Sequence, residues 1–443
     1  MSEPTPAGPA PTDPGGTPPA PPSEPAAGPA PAPLAPVAAG ERVEILDVLR
    51  GFAVFGILVV NMALFFSPMH LQVLNEPAIT GPLDELAHKL IQFFAQGKFY
   101  SLFSFLFGMG LAIQLERAEA RGRKVAGFFA RRMFWLLSIG LAHAFLLWFG
   151  DILVLYSLMG FVLLLFHKCK PKTLVIWALI LLAVPILLAA AQTGLFLIVQ
   201  AAAPEAIGPW LEGMRQFEEQ LRAGAAAAYE AYSSGSWGDV FAVRAGEWLL
   251  IFPFTLLNFS WVVLALFVLG VSFGKRRFFH RLEDNLPAIR RWVGPLYAVG
   301  LVLNVLLVLV AGRIEPMTPS LGALAFNALF VIAPPILSAA YVATLCLLWQ
   351  RPGGRRALSR LAPVGRMALS NYLMHSVVFT TLAYSYGLGL YGEISYLEGI
   401  GLTVAMFALQ IPLSAWWLGR FRFGPLEWLW RSLSYWRLQP MRR

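Results

Sequence analysis

The chain has 443 residues, of which 57% are hydrophobic and only 13% charged, a balance outside the range of soluble domains. It excludes an ordinary soluble enzyme and marks an all-α polytopic membrane protein. The formal charge of +9 would suggest nucleic acid for a soluble chain, but in a membrane protein basic residues report orientation first, so no nucleic-acid partner is expected.

Residues 1–41 are rich in Pro, Ala and Gly, and the first forty carry no Lys or Arg. They read as a disordered arm without the parts of a secretory signal. A hydrocarbon core of about 30 Å takes roughly 20 apolar residues as helix. About ten stretches qualify, near 46–66, 97–115, 128–149, 151–167, 173–201, 247–273, 292–312, 321–349, 367–389 and 397–418. Every even-numbered stretch runs into a basic loop, from Arg117–Arg132 through Lys168–Lys172, Lys275–Arg291 and Arg351–Arg366 to the tail beyond Arg420. By the positive-inside rule both termini are expected in the cytoplasm. An outer segment near 202–246 then forms an amphipathic, charged stretch. The whole transmembrane domain spans 42–419. The basic, Trp-rich tail 420–443 places Leu426, Leu429, Trp430, Leu433 and Trp436 at helical spacing, as an interfacial helix on the lipid surface does.

Polar side chains inside apolar helices are costly, so those present face a partner or a cavity. Asp47 lies one turn before Arg50 and can pair with it; Asn61 follows on the same face, about 16 Å along the axis. Arg50 and Asn61 therefore either line a path or serve as a snorkelling cation and a helix-bridging amide. Lys98 opens the second stretch, where Gly97, Gly108 and Gly110 permit close helix approach. His143 stands two turns inside an apolar helix, about 12 Å along the rise from Asp151, which reads as the N-cap of the returning helix. Asn371 and His375 share a face at i and i+4, below Thr380, Thr381 and Tyr384. His70 falls in the first outer loop. Cys169 and Cys346 are the two cysteines, and their contexts give neither a disulfide framework nor metal-ligand spacing. A phosphate loop, a Cys-x-x-Cys pair, an H-E-x-x-H helix and a G-x-S-x-G elbow are all missing from the sequence, so neither a nucleotide-hydrolysis site nor a metal site is expected.

The stretches LDVLRG (46–51), KFYSLFSFLFGMG (98–110), GDIL (150–153), GRMALSNYL (365–373) and GPLEWLWR (424–431) resemble, in order, the YeiB-like bacterial membrane family, whose C-terminal half is termed domain of unknown function 418. The resemblance covers 42–443 and implies a bacterial cytoplasmic (inner) membrane location. The family is similar to transmembrane acyltransferase-like proteins, which include heparan-α-glucosaminide acetyltransferase and bacterial glycan O-acylating enzymes. It implies an acyl group passed from cytoplasmic acyl-CoA, the donor, to an extracytoplasmic glycan or lipid acceptor. Their shared register is a basic residue, ten positions, then His or Asn. Here it reads Arg50 and Asn61, matching the heparan-type enzyme and departing from the O-acylating pattern, which has His. The heparan-type enzyme carries its active histidine in the next outer loop, where His70 stands. The resulting expectations are His143, Asp151, His70 and His375 as candidate bases and relays, and Arg50, Asn61, Lys98, Arg366 and Asn371 around the donor. The same residues also suit a proton-coupled transporter or lipid-handling protein, and the outer segment suits a non-catalytic subunit; membrane lipids are partners in every case.

Overall fold

A backbone surrounded by hydrocarbon must satisfy its own N–H and C=O groups, and a helix does so within one segment. In the computed structural model, which describes residues 2–5, 7–9, 42–78, 81–119, 125–315 and 317–443, the apolar stretches are helical accordingly. The arm 1–41 lies almost wholly outside the described residues, as do Arg121, Arg123 and Lys124 of the first basic loop. The helices run α1 Glu44–Phe66, α2 Met69–Val73, α3 Pro82–Phe94, α4 Lys98–Glu119, α5 Val125–Leu146, α6 Leu153–Leu163 and α7 Pro171–Ala202. They continue as α8 Ile207–Ser234, α9 Trp237–Asn258, α10 Ser260–Lys275, α11 Leu282–Ala311 and α12 Leu321–Trp349. The last are α13 Pro352–Leu358, α14 Ala362–Arg366, α15 Ala368–Ala383, α16 Tyr396–Arg420 and α17 Pro425–Tyr435.

Among the described residues, seven helical stretches are long and apolar enough to cross a bilayer, with Pro82–Glu116 taken as one; Leu153–Phe166 and Ser260–Lys275 are shorter apolar helices. The protein is thus an all-α, multi-pass membrane protein. Several stretches differ from the sequence expectation: the helix expected over 367–389 stops at Ala383, the one expected from 292 starts at Leu282, and two others are interrupted or turned back. In place of one span over 247–273, the helix begins at Trp237 and is divided at Phe259 into α9 and α10. The division has local causes. Pro253 removes a backbone donor, while the Asn258 amide and Trp261 indole bond the carbonyls of Phe254 (3.0 Å) and Leu257 (2.8 Å). Likewise α5 stops at Leu146 and the chain turns before α6, so Asp151 folds back on His143 instead of lying about 12 Å away along a helix axis.

Glycines set the tightest crossings. A Cβ on Gly108 of α4 would stand 1.9 Å from the Phe267 carbonyl oxygen of α10, and one on Gly270 would stand 2.0 Å from that of Phe105. The two backbones therefore touch, and Phe107 stacks on Phe267 at 4.5 Å beside the contact. Gly97 is needed for another reason, a φ of +85° at the turn into α4, whereas Gly110 has open space. At one end of the bundle Glu44 meets Arg355 at 3.6 Å, Arg277 pairs with Glu116, and Lys275 donates to the carbonyls of His167 (2.6 Å) and Cys169 (2.8 Å). This basic end also holds α17, whose Trp430 indole donates to Arg132 O at 2.8 Å. The opposite end carries α2, α3 and α8; Arg222 of α8 pairs with Glu76 just after α2 at 2.7 Å, and Gln72 of α2 donates to the Tyr396 hydroxyl of α16 at 3.2 Å.

Candidate functional site

A cavity of about 290 Å³ opens among α1, α4, α5, α15 and α17 at the basic end. Its mouth carries six guanidinium groups, Arg42, Arg50, Arg132, Arg366, Arg422 and Arg431, against two carboxylates, Asp47 and Glu427. Its depth is apolar, formed by side chains such as Ile57, Phe103, Phe107, Leu136 and Leu153. Arg50 is steadied by Asp47 at 2.5 Å on the same helix face, and Arg132 lies 3.7 Å over the Trp430 ring. Burial first, and then the neighbouring Arg42, holds the Arg366 guanidinium below the usual arginine value. Like charges gathered with so few counter-charges favour an incoming anion.

The tail contributes a wall to this cavity. Gly424 and Pro425 start α17, and Glu427 then turns toward α15, whose own N-cap residue Met367 supplies no capping side chain. Glu427 accepts from the backbone N–H groups of Leu369 (2.7 Å) and Ser370 (3.0 Å) and from the Ser370 hydroxyl (2.5 Å). A carboxylate from a distant segment thus caps the positive end of α15. The tail is therefore tied into the bundle at the start of α15.

Above the apolar depth, Asp151, His143 and Ser376 form a hydrogen-bonded chain. Asp151 Oδ1 accepts the Val154 N–H at 2.7 Å, capping α6. Its Oδ2 lies 2.7 Å from His143 Nδ1, and His143 Nε2 lies 2.7 Å from Ser376 Oγ. With Asp151 ionised and His143 neutral, Nδ1 donates to the carboxylate and Nε2 accepts the serine O–H. The imidazole and carboxylate side chains have no exposed surface, and Ser376 is equally buried. Tyr372, one turn before Ser376 on α15, lines the cavity. Its ring lies 5.2 Å from the His143 ring and its hydroxyl donates to Gly150 O at 3.2 Å. One phenol side chain therefore stands between the cavity and the imidazole.

The far end holds a second polar cluster on the other side of His143. Arg244 is fully buried and donates to the Phe145 (3.3 Å) and Leu146 (2.7 Å) carbonyls that end α5. Glu247, one turn on, accepts the Tyr232 hydroxyl at 2.5 Å and faces His70 Nδ1 at 3.6 Å. Tyr232 stacks on Tyr384 at 4.2 Å. His70 Nδ1, Arg244 Nε and Nη2, Glu247 Oε1 and the Tyr384 and Tyr391 hydroxyls are buried without a hydrogen-bond partner. Such concentrated unsatisfied polarity suits a bound polar group or water. Burial lowers the His70 pKa, favouring a neutral imidazole.

The remaining expected site residues lie elsewhere. Asn61 is half-buried on α1 and is not part of the cavity wall. Lys98 is fully buried at the start of α4 and donates to Gln92 O at 2.9 Å. Asn371 donates to Val364 O and Ser414 Oγ, each at 3.1 Å, and His375 Nε2 meets Gln410 Oε1 at 2.9 Å. These two side chains tie α15 to α14 and α16, facing away from the cavity that Tyr372 lines. Sequence reasoning missed Ser376, Arg132, Arg431 and Glu427 as site residues. A glutamate in an apolar, Trp-rich helix was the one available clue to Glu427; Ser376 gave none. No group of three or more His, Cys, Asp or Glu side chains able to hold a metal occurs among the described residues.

Comparison with known proteins identifies relatives of the chain. Residues 273–437 match the family described as "Protein of unknown function (DUF418)". The chain is 37% identical to the uncharacterized protein YxaH of Bacillus subtilis, over 92% of this chain and 98% of that protein. It is 30% identical to an uncharacterized 39.9 kDa protein of the amylase 3′ region of Bacillus acidopullulyticus, over 92% and 97%. With the uncharacterized protein YeiB of Escherichia coli it shares 28% identity over 89% and 96%.

Proposed function

The chain belongs to the DUF418 family, and we propose that it is a bacterial inner-membrane acyltransferase that takes an acyl group from cytoplasmic acyl-CoA and delivers it to an extracytoplasmic glycan or lipid acceptor. The observation that carries this reading is the polarity of the cavity. Arginines at the mouth meet the phosphates of the donor, and the apolar depth takes its thioester and acyl end toward Tyr372. At about 290 Å³ the space is just below the usual span of small-molecule sites, about 300–1,000 Å³. It therefore holds the reactive end of the donor, with the nucleotide resting at the arginine rim.

Acyl transfer needs a base beside the acceptor, and Asp151 fixes His143 in the tautomer that accepts a proton at Nε2. The basic end then faces the cytoplasm, in keeping with the positive-inside rule. The acceptor approaches from the far end, where His70, Arg244 and Glu247 present unpartnered polar atoms. Arg244 bonds the carbonyls of Phe145 and Leu146, which end the helix that bears His143. Purified protein in lipid nanodiscs should bind and turn over acyl-CoA, and His143→Ala should abolish turnover while leaving binding intact. Acyl-CoA that neither binds nor turns over, in a preparation that stays folded, contradicts the reading.

A further inference from the structure

We propose that Ser376 is the nucleophile of this acyl transfer and carries the acyl group as a covalent ester between the two half-reactions; this rests on the acyltransferase reading above. Three observations assign the role. The Ser376 hydroxyl lies 2.7 Å from His143 Nε2, on the opposite side of the ring from the 2.7 Å contact of Nδ1 with Asp151. The three groups come from different elements, α15, α5 and the turn before α6, and meet with no exposed surface on the imidazole or the carboxylate. A serine that only bridges two helices does not need an imidazole held in one tautomer by a buried carboxylate. A serine that loses a proton does.

In the first half-reaction the Ser376 proton passes to His143 Nε2 while Oγ bonds to the thioester carbonyl carbon. Asp151 offsets the charge of the imidazolium. The tetrahedral intermediate collapses, the C–S bond breaks, and the leaving thiolate takes the proton from Nε2 as CoA thiol. In the second, an acceptor hydroxyl gives its proton to Nε2 and attacks the ester carbonyl. The bond from carbon to Oγ breaks, and Ser376 recovers the proton. No oxidant or reductant is needed.

The placement also explains why two steps serve better than one. The donor cavity ends at Tyr372 on one side of His143, and the unpartnered far-end cluster begins beyond Leu146 on the other. Donor and acceptor need never meet, because a serine within reach of one imidazole hands the acyl group across. Full burial of Ser376 and His143 excludes the bulk water that would hydrolyse the ester. Because Tyr372, held by its bond to Gly150 O, lines the cavity and Ser376 does not, this ring must move for the thioester to reach Ser376.

The test uses full-length protein in nanodiscs with acetyl-, butyryl- and palmitoyl-CoA as probes, without acceptor. Binding is measured by equilibrium dialysis and covalent capture by intact mass and peptide mapping. The expected result is a stoichiometric acyl adduct on the peptide containing Ser376, labile to alkaline hydroxylamine. Ser376→Ala should bind donor within about threefold of wild type and lose the adduct. His143→Ala should lose the adduct as well, and Ser376→Cys, which keeps a nucleophile, should give a thioester labile to hydroxylamine at neutral pH. Each variant is first checked for an unchanged elution volume and melting transition. CoA release by wild type with no adduct, and Ser376→Ala releasing CoA within threefold of it, overturns the nucleophile while leaving the acyltransferase reading standing. Absence of donor binding and of CoA release with all three probes overturns both.

Discussion

Replacing Asp151 by Asn separates the structural duty of this side chain from its chemical one. Asp151 Oδ1 caps α6 through the Val154 N–H, and Oδ2 holds His143 Nδ1. An asparagine keeps the cap with its carbonyl oxygen, but its NH₂ now faces Nδ1 and can only donate. The imidazole must then accept at Nδ1 and carry its proton on Nε2, so it can no longer take a proton from Ser376. Trading a charge-assisted bond for a neutral one costs about 1–2 kcal/mol of stability. The wrong tautomer should cost far more in rate, on the order of 10⁴-fold by analogy with the same change in serine proteases. Asp151→Ala behaves differently: it loses the cap, about 1 kcal/mol, and strands a buried imidazole nitrogen, about 1–3 kcal/mol more. Single-turnover acyl-CoA cleavage and thermal unfolding, measured on both variants in nanodiscs, resolve the two effects. An Asp151→Asn protein that cleaves donor within tenfold of wild type would refute the argument, because the carboxylate would then be holding helices and nothing else.

The remaining expectations concern the cavity and its frame. Arg132→Ala removes a guanidinium from the mouth and should weaken CoA binding by roughly 10- to 150-fold, the equivalent of one charge-assisted contact of about 1.5–3 kcal/mol; affinity unchanged by calorimetry would exclude Arg132 from the donor site. Glu427→Ala should destabilise the protein by about 2–4 kcal/mol, since three bonds to the α15 terminus disappear together. The accompanying sign is faster tryptic cleavage within the tail, and an unaltered digestion pattern argues against the cap. Gly108→Ala should lower the melting temperature, by overpacking worth about 1–3 kcal/mol, because its Cβ meets the Phe267 carbonyl oxygen at 1.9 Å. Gly110→Ala, with open space around it, serves as the neutral control, and equal losses at both positions would discredit the close contact of α4 with α10.

What the sequence reveals depends on whether a residue is costly by itself. His143 and Asp151 stand out because ionisable groups in hydrocarbon demand partners, and they lie only eight positions apart. Asp47 and Arg50 are legible for the same reason, one helical turn apart. Ser376 is not, since a serine costs little in a helix and its partner is 233 positions away. The arginines were visible individually but not as a site. Arg132, Arg422 and Arg431 count toward orientation in any reading of loops, and only the packing of α17 against α5 and α15 gathers them around one space. Asn61 shows the converse: helical periodicity puts it on the Arg50 face, yet it is half-buried and absent from the cavity wall that Arg50, Val54 and Ile57 line. The break at Phe259 escapes a hydropathy reading because it is made by side-chain hydrogen bonds from Asn258 and Trp261.

The central claim, a donor site built from arginines at the mouth of the α1–α4–α5–α15–α17 cavity, is tested most directly by equilibrium binding of radiolabelled CoA to the full-length protein in nanodiscs. CoA lacks the acyl group, so binding is read apart from chemistry. The account predicts one saturable site that weakens as salt rises, is displaced by adenosine 3′,5′-diphosphate, and is weakened at least tenfold by Arg132→Ala and by Arg431→Ala. CoA that shows no saturable binding, or that binds both variants as well as wild type, contradicts it.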